Sequence, residues 1–171
     1  LSTLRSNSDR IVGISYVDRH THAYVLQDDM RPYAAYESRG TMNGRCLYKN
    51  RDLRNLYSED YVFTHFTLKS DYPIADGDVY VFGELTDWQL QDDAKLHYNK
   101  EFDFWETELL LKQGAYNYQY VYVPKGSDVI DATYVEGSHY ETSNIYYIFV
   151  YFQEEGSSYD RLIGYQSCSI V

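Results

Sequence analysis

Apolar and polar residues alternate with period two along much of this chain, and runs of helical period are scarce. The clearest alternation covers residues 104–111. Trp105, Thr107, Leu109 and Leu111 fall on one face, while Glu106 and Glu108 fall on the other. A strand built this way buries one side on a core and wets the other. Residues 61–68, 79–82 and 92–98 predict further strands. Residues 116–123 predict another, in which Tyr116, Tyr118, Tyr120 and Tyr122 share a face, with Pro124 and Gly126 ending it. Segments 10–17 and 22–27 read as short strands, and 159–171 as a last extended segment. Between them, 28–57 is irregular and polar, with turn signals at Arg31-Pro32, Arg39-Gly40 and Asn43-Gly44. It reads as a loop or connector, with one helical turn near 51–57. A turn containing Pro73 is expected over 71–77.

Residues 145–152 break the alternation, because every position is apolar or aromatic. A strand with two apolar faces is covered on both sides, or turns one face to another domain. At eight residues, Ile145 to Phe152 is also the longest strongly apolar run. A helix crossing a bilayer needs about 20 such residues, so no membrane span is expected.

Strands spaced about ten residues apart, with turns between, predict an all-β sandwich or barrel. The expected division is an N-terminal extension or connector over 1–56, with short strands, and a β-sandwich over 57–171. The sandwich strands should lie within 60–155. Trp105, Leu109, Leu111, Tyr118 and Tyr120 are the expected core.

Composition adds two points. Of 171 residues, 21 are tyrosine, a side chain suited both to strands and to contact surfaces. The net charge of -11 argues against binding a phosphate backbone or an anionic membrane. The first residue is Leu1 and no signal-peptide pattern follows, which reads as a processed chain or a fragment. Cys46 and Cys168 are too few for a disulfide framework or a structural zinc site; one bridge and two free thiols both remain open.

The search for chemistry finds no catalytic constellation. His20 and His22 would share a strand face, but no further ligand is near in sequence, so no metal or other cofactor is assigned. His65 shares a face with Tyr61 and Phe63 and is expected to be a hydrogen-bonded structural histidine. Ser138 and His139 are adjacent, so they point apart in an extended chain and read as part of a polar loop. The carboxylates of Asp76-Gly77-Asp78 and Asp92-Asp93 fit turns. The most informative feature is aromatic. Gly83-Glu84-Leu85-Thr86-Asp87-Trp88 places a tryptophan in a loop just past a strand. Such a ring can stack on a sugar, anchor a protein partner or close one end of a sandwich. Trp88, with Tyr80, Tyr116 and Tyr146, is the candidate contact site.

Two resemblances bear on this. The run Val79 to Trp88, then Phe104-Trp105-Glu106-Thr107-Glu108-Leu109, then Gly114 to Tyr120, resembles the early-set immunoglobulin-like modules of glycogen-binding and starch-active proteins. That resemblance implies an immunoglobulin-like β-sandwich, and matches Trp88 to the loop tryptophan that stacks on glucan. Residues 121–131 lack the second tryptophan of the binding members, and Gln119 stands where they carry a basic residue. A longer resemblance rests on Glu59 to Leu68, Gly83 to Trp88, Leu110 to Tyr120, Glu136 to His139 and Ser158 to Gly164. These motifs, in this order, look like the C-terminal part of the type IX secretion system plug family of Bacteroidetes. It implies a non-enzymatic exported protein on the periplasmic side of the outer membrane, with the secretion translocon as its partner. Glycan binding through Trp88 and its neighbouring tyrosines is the alternative.

Overall fold

The structure, a computed structural model, describes residues 10–35, 42, 44–48, 61–70, 74–139 and 144–170. Its strands in chain order are β1 (Ile11–Val17), β2 (His20–Val25), β3 (Asp28–Asp29), β4 (Cys46–Tyr48), β5 (Tyr61–Lys69), β6 (Gly77–Gly83), β7 (His97–Asn99), β8 (Phe104–Lys112), β9 (Gly114–Tyr116), β10 (Tyr118–Pro124), β11 (Asn144–Phe152) and β12 (Arg161–Ile170). One short helix, α1 (Thr133–Glu136), precedes β11. The fold is an all-β sandwich.

The described residues form two compact units. The first holds β1 to β10 and α1. Its larger sheet runs β1-β2-β5-β8-β7, with β3 also paired to β5; its smaller sheets are β6-β10 and β4-β9. The core lies where the period-two pattern puts it. Phe66, Leu68 and Leu109 from the larger sheet meet Val79, Val81 and Tyr120 from the β6-β10 ribbon. Phe66 and Tyr118 pack edge to face across it, centroids 5.0 Å apart. Leu109 and Tyr120 are buried, as expected, while Trp105, Leu111 and Tyr118 pack against the core and stay partly exposed.

A polar group sits inside this aromatic region. Asp28 accepts hydrogen bonds from Arg10 (2.7 Å), Tyr118 (2.7 Å) and Tyr120 (3.2 Å). Tyrosine hydroxyls that face a core need such an acceptor. The β3 residue therefore anchors the ends of two core side chains.

The N-terminal strands differ from the expected extension. β1, β2 and β3 are integral to the larger sheet, with β2 and β3 parallel to β5. Parallel neighbours need a long crossover connection, and the chain between β3 and β5, which includes β4, is long enough to make it. The boundary expected at residue 56 therefore cuts a sheet. The helical turn expected near 51–57 lies outside the described residues, as does Pro73. Two smaller differences have local causes. Within 92–98, Asp92–Ala94 forms a 3-10 turn and only His97–Asn99 is a strand. The tyrosine strand breaks at Asn117: β9 pairs with β4 and β10 with β6, so one run serves two sheets.

The second unit is the antiparallel hairpin β11-β12. β11 and β12 therefore belong to a different compact unit from β1 to β10. Cys46 and Cys168 are both free thiols, one in each unit.

Candidate functional site

Trp88 sits at the end of a tight turn that the sequence enforces. Gly83 has φ 153°, and a β-carbon there would fall 2.8 Å from the Asn117 carbonyl oxygen, so only glycine fits. The 3-10 turn Glu84–Thr86 follows, then Asp87 and Trp88 both adopt left-handed backbone. Thr86 locks the turn by donating to the Gly83 carbonyl at 3.0 Å. The indole is presented edge-on to Phe82 at 5.6 Å and donates its N–H to Glu84 at 2.8 Å. The residue is 48% exposed.

The four sequence-derived contact residues fall on different elements. Tyr80 is half-buried two positions before Phe82 on β6, so it shares the face that carries the Trp88 contact. Tyr116 pairs with Cys46 and donates to the Lys112 carbonyl at 2.5 Å; burial pushes its hydroxyl above the ordinary tyrosine pKa. Tyr146 belongs to the hairpin of the second unit. Ser138, next to His139, is exposed just beyond Gly137, which ends α1.

The hairpin is the larger aromatic feature. Ile145 through Phe152 are each 46–59% exposed. The register sets Ile145, Tyr147 and Phe149 on one face, and Tyr146, Ile148 and Val150 on the other. Tyr147, Phe149 and Tyr165 cluster on the first face, with centroids 5.5–6.4 Å apart. Among the described residues neither strand pairs with a third.

A second cluster was not legible in the sequence. On the outward face of the larger sheet, His22 of β2, His65 of β5 and Glu108 of β8 converge. His22 Nδ1 lies 2.9 Å from His65 Nε2, and the Glu108 carboxylate is 3.0 Å from His65 and 3.4 Å from His22. Burial holds the His65 imidazole below its ordinary pKa; Glu108 pulls the other way and His22 adds to the depression. His20, two positions from His22 on the same strand, packs edge-on against Phe63. The reason is register. His65 pairs directly with Glu108 across β5-β8, and β2 runs parallel beside β5. Outward period-two positions on three predicted strands were the available signal, but strand order decides which of them meet.

No protein-family model matches the chain, and no curated protein matches it. The chain is similar to a hypothetical protein from Parabacteroides merdae, known from a crystal structure at 2.30 Å resolution. The TM-score is 0.82 and the identity 37%, over 96% of this chain and 41% of that one. The chain thus spans less than half the length of that relative.

Proposed function

We propose that this chain is a non-enzymatic protein-interaction domain that docks through the β11-β12 hairpin. The observation that carries this is the two-sided exposure of an apolar ribbon. A lone two-stranded hairpin is at best marginally stable in water. Open strand edges and large apolar faces are also aggregation hazards unless something covers them. A protein partner answers both needs: its strand can add to an open edge, and its apolar surface can cover Tyr147, Phe149 and Tyr165. Tyrosine suits such a contact because it offers much area at low entropy cost.

The motifs that resemble the type IX plug family make the outer-membrane secretion translocon the partner of choice, met from the periplasmic side. The test is purification of the tagged full-length protein from gently solubilised outer membranes. The large translocon subunit should co-purify, and retention should fall when Tyr147 and Phe149 are both replaced by serine. Absence of the translocon, or retention indifferent to those substitutions, rejects the reading.

Glycan binding is the second reading, favoured by the half-exposed Trp88 ring. It requires that a soluble glucan quench Trp88 fluorescence in a Trp105→Phe background and that Trp88→Ala abolish retention on glucan.

A further inference from the structure

We propose that His22, His65 and Glu108 bind one divalent transition-metal ion of the zinc class on the outward face of the larger sheet. The three potential ligand atoms are 2.9, 3.0 and 3.4 Å apart. Ligands bonded to one ion at about 2.1 Å lie about 3.4 Å apart in a tetrahedron and about 3.0 Å apart at neighbouring octahedral positions. All three separations fall at these values, so one ion can touch all three atoms with little movement.

The donor set is chemically selective. Two imidazole nitrogens and one carboxylate suit zinc and its first-row neighbours, whereas calcium and magnesium prefer oxygen. A hydrogen bond links only two of the three atoms at a time; a cation satisfies all three together. The rings are also held in place. Phe63 stacks on His22 at 5.1 Å and Tyr24 stacks on His65 at 4.5 Å. Glu106, two positions from Glu108 on the same face, accepts from Asn99 at 2.8 Å and is occupied there. Half-buried imidazoles beside a carboxylate that is 40% exposed leave the solvent side of the ion open. Three protein ligands with an open position are a recurring arrangement for zinc.

The test is titration of chelator-treated protein with Zn²⁺, followed by calorimetry and by NMR of the histidine rings. One ion should bind per chain, raise the melting temperature by mass action, and shift the His22 and His65 ring resonances but not those of His97. His22→Gln, His65→Gln and Glu108→Gln should each weaken binding by at least about tenfold, while His97→Gln leaves it unchanged. Mg²⁺ and Ca²⁺ should not compete. Failure to bind one Zn²⁺ per chain, or ring shifts elsewhere than His22 and His65, overturns the proposal. The ring shifts are read on the unsubstituted protein and stand even where a variant folds poorly.

Discussion

Gly44 lies against the indole of Trp88 so closely that a β-carbon would fall 2.8 Å from Cζ2 and 2.9 Å from Cη2. Its φ of 74° is also in the left-handed region. One small residue from the crossover segment therefore determines how the Trp88 ring rests. Gly44→Ala should cost about 1–3 kcal/mol, combining backbone strain with displacement of the ring. It should also alter Trp88 emission in a Trp105→Phe background. An unchanged urea midpoint and an unchanged spectrum would show that the contact is not made.

Asp28 is an acceptor shared by Arg10, Tyr118 and Tyr120. Tyr120 is 1% exposed, so its hydroxyl has little access to water if Asp28 is removed. Asp28→Ala should lower stability by about 1–3 kcal/mol, because it removes the acceptor of both tyrosine hydroxyls and leaves only the Arg10–Tyr118 bond and a long 3.5 Å contact from Tyr120 to the Thr67 carbonyl. Adding Tyr118→Phe to Asp28→Ala should cost less than Tyr118→Phe costs alone. A double-mutant cycle measures this, and simple additivity would contradict the shared network.

The same tyrosines set an alkaline limit. Burial, and then the negative charge of Asp28, push the Tyr118 hydroxyl well above its ordinary pKa; burial, Tyr118 and Asp28 do the same to Tyr120. A raised pKa means that folding favours the protonated hydroxyl. Its contribution is complete below the unfolded tyrosine pKa of about 10 and is lost as pH climbs beyond it. Urea midpoints should therefore fall steeply above pH of about 10. In Tyr118→Phe that fall should be shallower, with one fewer shifted group releasing a proton on unfolding. An equal slope in both proteins would place the alkaline sensitivity elsewhere.

Trp105 tests the face assignment on β8. It packs against the core yet remains partly exposed, with Tyr98 5.3 Å away. Trp105→Ala should cost about 3 kcal/mol, the lower end for a large aromatic truncation, because part of the ring is already wet. A loss under about 1 kcal/mol in chemical denaturation would mean that the packing is loose.

Local alternation made β5, β6 and β8 legible from the sequence, and β11 was legible as a continuous apolar run. Strand partners were not legible. Nothing within 10–25 says that β2 lies parallel to β5, because that pairing depends on a crossover of polar residues with no period of their own. The His22, His65 and Glu108 cluster was hidden for the same reason. Each residue reads separately as an outward strand position, and only the strand order β2-β5-β8 brings them together. Trp88 was legible because its turn is written in consecutive residues from Gly83 onward. Tyr146 was grouped with it on aromatic character alone, which says nothing about distance.

The hairpin lets the proposed docking be tested apart from the stability of the first unit. Tyr147 and Phe149 are half-exposed, and they stack on each other and on Tyr165 within β11 and β12. Replacing both with serine should leave the core of the first unit, and hence its melting temperature, almost unchanged, within about 0.5 kcal/mol in stability. The substitutions should sharply reduce binding of an environment-sensitive apolar dye, because they remove two of the three rings of an exposed cluster. A large drop in melting temperature would mean that these rings are buried in the folded protein and already serve its core. Unchanged dye binding would mean that the apolar surface lies elsewhere, and docking through this face would lose its physical basis.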